Sequence, residues 1–215
     1  MMKQTLGALC AAALVCAFAA APAGATNGMD MIGYGARSIG MGGADVAVDG
    51  DAASAAGGNP AVVSQATPSS ANLGATFLMP HLSYSDPAQE VDGESQVFAM
   101  PSLGYVHALA NSPWSLGVGL YAQGGMGVNF QDLMTPAGTR DDLTSQVAFM
   151  RVNPLAAYKV NDNLSLGASV MVGYAMAKFS QFADMPGGIK VEDLASWGFA
   201  GKIGAQYKIG PQWRI

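Results

Sequence analysis

The stretch LSLGASVMVGYAMAK, residues 164–178, alternates without a break. Even positions carry Leu164, Leu166, Ala168, Val170, Val172, Tyr174 and Met176. Odd positions carry Ser165, Gly167, Ser169, Met171, Gly173, Ala175 and Ala177. A period of two is that of a β-strand, whose successive side chains point to opposite faces. One face is greasy and the other small or polar. The pattern predicts a strand over 164–178 with Leu166, Val170 and Val172 on the greasy side.

Working outward, the same period recurs. Trp114, Leu116, Val118 and Leu120 oppose Ser115, Gly117, Gly119 and Tyr121. Met150, Val152, Pro154, Ala156 and Tyr158 oppose Arg151, Asn153 and Lys159. Phe199, Ile203, Ala205, Tyr207 and Ile209 oppose Lys202, Gln206 and Lys208. Two weaker runs complete a set of six strands, expected near 70–79, 97–108, 114–123, 146–160, 164–178 and 196–209. The fold class is all-β and antiparallel.

Alternation alone suits a soluble sandwich as well as a membrane barrel. Three signs favour lipid. Tight connections at 110–113, 161–163 and 210–212 alternate with long ones at 80–95, 125–145 and 180–195, as periplasmic turns alternate with external loops. Tyr105, Trp114, Tyr158, Tyr207 and Trp213 gather beside the tight turns, where an interfacial girdle belongs. The tight turns recur every fifty residues or so, one hairpin plus one external loop. The chain is also 50% hydrophobic and only 12% charged, against roughly 25% charged in a soluble domain. A net charge of −5 without a basic cluster excludes nucleic acid as a partner.

The segment before the first strand is different in kind. Between Gly33 and Ala61, glycine and alanine dominate, and Asp45, Asp49 and Asp51 break the short apolar pieces. Such a segment buries little against itself and needs a container. Residues 1–25 read as a cleaved secretory leader: Lys3 near the start, an apolar run from Leu6 to Ala21, then Ala23-Gly24-Ala25. Both cysteines, Cys10 and Cys16, lie inside it. The expected organisation is a leader over 1–25, a plug over 26–68 and barrel strands over 69–215.

Three motifs give that plug a family likeness. Gly35-Ala-Arg-Ser-Ile-Gly-Met-Gly-Gly-Ala44, Asp49-Gly-Asp-Ala-Ala-Ser-Ala55 and Asn59-Pro60-Ala61 resemble the N-terminal hatch of outer-membrane hydrophobic-compound transporters. These are the long-chain fatty acid and toluene transporters of the FadL/TodX type. The Gly-Met-Gly-Gly-Ala part is shared with related barrels used in secretion. The resemblance implies a barrel of about fourteen strands in a Gram-negative outer membrane, monomeric when full length. It also implies that Asn59, Pro60 and Ala61 form the hatch motif, facing a strand kink and a lateral opening. This chain, ending at Ile215 just past a tight turn, would hold six of those strands, an N-terminal piece of a longer protein. A six-stranded sheet alone would leave strand edges unpaired in lipid.

No catalytic constellation stands out, and no enzyme activity or cofactor is expected. His81 and His107 lack companions at metal-ligand spacing. There is no G-x-S-x-G elbow and no phosphate loop. Asp45, Asp49 and Asp51 look like a calcium loop, but Ala56 stands where the closing Glu belongs, so they read as turn and cap formers. Inward positions mix polar and apolar groups, and Phe149, Arg151, Asn153 and Lys202 are the candidate contacts for a hydrophobic substrate. A carboxylate head with an alkyl tail would suit them, and so would a structural role for the cations in balancing lumenal acids. The function expected is passive outer-membrane transport of hydrophobic compounds through a hatch-gated barrel. The alternatives are a structural or secretion-associated barrel that moves no small solute, and an outer-membrane enzyme whose catalytic set lies elsewhere.

Overall fold

A computed structural model describes residues 31–48, 51–65, 69–135, 137–210 and 213–215. The leader with its two cysteines and Asp49 lie outside the described residues. Two short helices, α1 (Gly35–Gly40) and α2 (Ala52–Gly57), and a 3-10 turn (Pro60–Gln65) precede the strands. The strands are β1 (Ser69–Leu78), β2 (Ser83–Ser85), β3 (Glu90–Asp92), β4 (Phe98–Ala108), β5 (Trp114–Met134), β6 (Arg140–Lys159), β7 (Leu164–Gln181), β8 (Ile189–Ile209) and β9 (Trp213–Arg214). No helix among the described residues is long and apolar enough to cross a membrane.

β1, β4, β5, β6, β7, β8 and β9 form one antiparallel sheet in that order, so from β4 onward each strand lies beside the next in the chain. β2 and β3 form a separate hairpin. The large sheet curls into a half-barrel. Short turns make its neighbours antiparallel. Asn111 takes the left-handed conformation (φ 56°) in the β4–β5 turn. Between β6 and β7, Asn161 Oδ1 accepts from the backbone N–H of Asn163 and Leu164, both at 2.8 Å. An asparagine side chain closing a turn on the backbone two and three residues ahead is what makes it a turn residue.

The alternation sorts the two faces. On the convex side Leu166, Val170, Phe199 and Ile203 are exposed, Ile203 at 88%. On the concave side Ser165, Gln206 and Ser169 are buried. Trp114 and Tyr158 are register partners with ring centroids 4.9 Å apart, and with Tyr105 and Tyr207 they belt the tight-turn end. Tyr174 and Trp197, also partners, pack at 4.8 Å higher up. Along β7 these two belts, at Leu164 (opposite Tyr207) and Tyr174, are ten residues apart. At ~3.3 Å per residue and a tilt of ~40°, that gives a convex apolar band ~25 Å tall, the height of the outward band of outer-membrane barrels.

The strands run further than the alternation indicated. The long connections expected at 125–145 and 180–195 are mostly strand: β5 reaches Met134, β6 begins at Arg140, β7 ends at Gln181 and β8 begins at Ile189. The connection at 80–95 contains the β2–β3 hairpin. Its Tyr84 ring lies edge-on to Phe130, 6.1 Å away. Above the upper belt polar residues stand at both even and odd positions, Asn129 and Asp132 on β5 and Asp142 and Ser145 on β6, so the sequence loses its two-face contrast while the ladder continues.

Candidate functional site

The N-terminal segment lies against the concave face at the tight-turn end of β4 to β8. Its α2 helix, Ala-Ala-Ser-Ala-Ala-Gly, is too short to be stable alone. Asp51 caps it, Oδ1 accepting from Ser54 N–H at 2.8 Å, as a cap-forming aspartate should. Its residues are all buried, and the small side chains let its backbone approach the wall. Ala52, Ala53, Ala55, Ala56, Val62 and Val63 pack with Val106, Tyr121, Leu155 and Ala157 of β4, β5 and β6.

The close approach needs glycines in the wall. A Cβ added at Gly104 would lie 2.3 Å from Ala53 N, and one at Gly167 2.5 Å from Ala61 N. At Gly204 it would fall 2.1 Å from Asn59 Oδ1. Glycine inside a strand often marks such a backbone contact.

The wall also supplies the donors that the end of α2 lacks. The last carbonyls of any helix have no partner within it. Here Asn153 Nδ2 donates to Ala56 O (3.2 Å) and Lys202 Nζ to Gly57 O, while nearer the helix start Tyr121 O–H donates to Ala53 O. A lysine at this end also meets the negative pole of the helix. Elsewhere Gln206 Nε2 donates to Ala47 O at 2.7 Å, and Asn72 Oδ1 accepts from Ala52 N–H at 2.8 Å. The Tyr34 ring covers Gly57, stands edge-on to Tyr121 at 5.3 Å, and has Arg151 Cζ and Lys202 Nζ each 5.6 Å from its centroid.

Asn59, Pro60 and Ala61 join this contact. Asn59 Nδ2 donates to Val46 O (2.8 Å) and to Ala205 O of β8 (3.1 Å), while its Oδ1 accepts from Ala61 N–H (3.0 Å). One amide thereby ties an earlier turn, its own turn and the wall. Pro60 and Ala61 are buried against β7.

A second feature lies where β5 leaves β4. Their pairing stops at Ser102 and Tyr121, and β5 bulges between Ala122 and Gly124. The bulge turns Gln123 inward, where Nε2 donates to Met31 O (2.9 Å) and Gly33 O (3.2 Å) while Gln123 O accepts from Met31 N–H (2.9 Å). The start of the N-terminal segment thus partners the free edge of β5.

Above the segment, the concave face opens into a groove of about 480 Å³. Phe149, Arg151 and Met171 wall it, over a floor of Gly173, Ala175, Ser196, Gly198 and Ala200. The four candidate contacts therefore divide. Phe149 and Arg151 line the groove, with Arg151 Nη1 3.5 Å from Met171 Sδ. Asn153 and Lys202 hold the N-terminal segment instead. Sequence reasoning passed over Tyr34, Tyr121, Gln123, Gln206 and the glycines at 104, 167 and 204. The inward glycines were the available signal, since a strand loses stability at a glycine unless something must come close. Among the described residues no group of three His, Cys, Asp or Glu side chains is placed to hold a metal.

The half-barrel has known relatives in structure. Two crystal structures of the Pseudomonas putida toluene transporter TodX superpose with a TM-score of 0.59 at 18% identity. The alignments cover 84% and 86% of this chain and 53% and 54% of TodX, so the chain spans about half of TodX's length. No curated protein matches the sequence. Residues 12–213 match the family model for outer membrane protein transport proteins (OMPP1/FadL/TodX), and the chain belongs to that family.

Proposed function

We propose that this chain forms the hatch and the first wall strands of a passive outer-membrane channel for hydrophobic compounds, long-chain fatty acids or aromatic hydrocarbons. The observation that carries the reading is the stacking of two features on one concave face: a docked N-terminal segment below and a mostly apolar groove above. A hydrophobic solute gains nothing from an open water-filled pore, whereas an apolar groove favours its leaving lipid or micelle. The docked segment, acting as the hatch, keeps water and ions out until solute arrives. Asn59, Pro60 and Ala61 fasten it, and the β4–β5 seam beside Gln123 gives a solute a side exit into the bilayer.

The family match and the likeness to a toluene transporter support this reading over a purely structural barrel. Further support comes from the groove, whose lining has Arg151 as its charged side chain and aromatic, methionine and small residues for the rest. The test is uptake by liposomes carrying the full-length protein, with fatty acids and aromatic hydrocarbons offered separately. Uptake of either class above that of empty liposomes is the expected result. Equal rates with and without the protein would reject the transport function.

A further inference from the structure

Lys202 stands at the border between groove and hatch. It lies two residues along β8 from Ala200, on the same concave face, and Ala200 lines the groove. Its ammonium is half-buried and donates to the neutral carbonyl of Gly57, the last residue of α2. Arg151 approaches the same spot from the groove side, and both cations flank the one Tyr34 ring. Two cationic side chains therefore stand at the edge of the apolar groove, and one of them, Lys202, holds the hatch through an uncharged acceptor.

We propose that Lys202 is a head-group switch: the carboxylate of an amphiphile whose tail lies in the groove draws the Lys202 ammonium from Gly57 and thereby loosens the hatch. This rests on the transport function proposed above and assigns the opening signal to substrate charge.

The exchange is favourable because a carboxylate is a stronger partner for an ammonium than a neutral carbonyl. Hydrogen bonds with both partners ionised are shorter and stronger, and more so where water is partly excluded. Losing Lys202 leaves the Gly57 carbonyl without its donor and removes the cation at the negative end of α2. The disturbance has a contiguous path to follow. Gly57 lies under Tyr34, and the residue before Tyr34, Gly33, accepts from Gln123 at the β4–β5 seam. Loosening the last turn of α2 thus reaches the clip that completes the β5 edge. A neutral hydrocarbon can fill the same groove, but it offers the ammonium nothing.

The experiment compares a long-chain carboxylate with its methyl ester, in liposomes carrying the full-length barrel. Four proteins are needed: unaltered, Lys202→Met, Lys202→Arg and Asn153→Ala, each checked for heat-modifiable gel migration. The unaltered protein should prefer the carboxylate by about tenfold or more. Lys202→Met should bring the two rates within about twofold, and Lys202→Arg should restore the preference. Asn153→Ala loosens the same helix end without touching charge, so both rates should rise while the preference stays.

Amide exchange across residues 52–57 of the unaltered protein adds a readout that needs no variant. It should speed up with the carboxylate and not with the ester. A preference that survives in well-folded Lys202→Met overturns the switch. So does unchanged exchange on carboxylate binding, or equal transport of both compounds by the unaltered protein, although hydrophobic transport then stands. If the unaltered protein moves neither compound nor any hydrocarbon, the transport function itself fails.

Discussion

Gly167 and Gly201 are both strand glycines, yet the structure assigns them opposite costs. Gly167 faces the concave side, where an added Cβ would press on the Ala61 amide and the Pro60 carbonyl carbon, both 2.5 Å away. Those atoms are backbone and cannot swing aside. Gly201 has open space around it on the convex side. Gly167→Ala should therefore weaken the docked segment by about 1–3 kcal/mol, the usual cost of overpacking. Gly201→Ala should be neutral or gain up to about 1 kcal/mol, because alanine loses less chain entropy in a strand. Amide exchange over residues 61–63 in the full-length barrel separates the two. Equal protection in both variants would mean that the 3-10 turn is not seated on β7. Tyr121→Phe probes the same contact from the polar side. Removing its O–H leaves the buried Ala53 carbonyl without that donor and should cost about 1–3 kcal/mol of docking. Faster exchange across α2, with the strands unchanged, is the expected signature.

At the scale of elements, the two belts divide each long strand into a banded part and a protruding part. Val170 is 54% exposed and sits between the belts on β7. Gln146 of β6 faces the same side but lies beyond the Tyr174–Trp197 belt. Val170→Arg should destabilise the full-length barrel by about 2–4 kcal/mol in a bilayer, whereas Gln146→Arg should cost only about 0–1 kcal/mol. Folding titrations into lipid vesicles would measure both, and matching costs would show that the band is misplaced.

The same division explains what the sequence disclosed. Where one face meets an apolar surrounding and the other the docked segment, as at Leu164–Tyr174, contrast is high and strand starts are plain. Beyond the upper belt, Asn129, Asp132, Asp142, Thr144 and Ser145 put polar residues at both parities and break the alternation, so the extended ladders of β5 and β6 read as loop. The facing of Arg151, Asn153 and Lys202 was legible from parity. Their tasks were not, because parity says which way a side chain points and nothing about what occupies the space. Ser169 shows the difference: it is inward, yet only 7% exposed, so an inward position there is not a roomy one. The bulge at Gln123 breaks parity, and the Gly124-Gly125 pair beside it is a compositional mark that hints at a bulge without giving its register.

For the whole molecule, the question is whether the N-terminal segment is a structural part of the wall or a separable hatch. The hydrogen-bonded ladders run from strand to strand, and the segment joins them through the backbone bond of Met31 to Gln123 at the edge of β5 while its other contacts add to a sheet already paired without it. The segment is held instead by a handful of side chains; of the three Asn59 bonds, one reaches Ala205 O of the wall and two fix the segment's own turns. Each is worth about 0.5–1.5 kcal/mol, so losing them should weaken docking directly through the one wall bond and indirectly through the two that shape the docked turns, while leaving the strand ladders intact. Pro60 fixes the backbone that presents Asn59, since the residue before a proline is confined to extended geometry. Replacing both, Asn59→Ala with Pro60→Ala, should therefore raise protease sensitivity of the segment and alter hydrophobic uptake in liposomes. Heat-modifiable migration, which reports barrel closure, should stay normal. The opposite pattern, lost barrel closure, would make the segment part of the folded wall. Unaltered uptake by a well-folded double variant would reduce Asn59-Pro60-Ala61 to an ordinary turn with no part in gating.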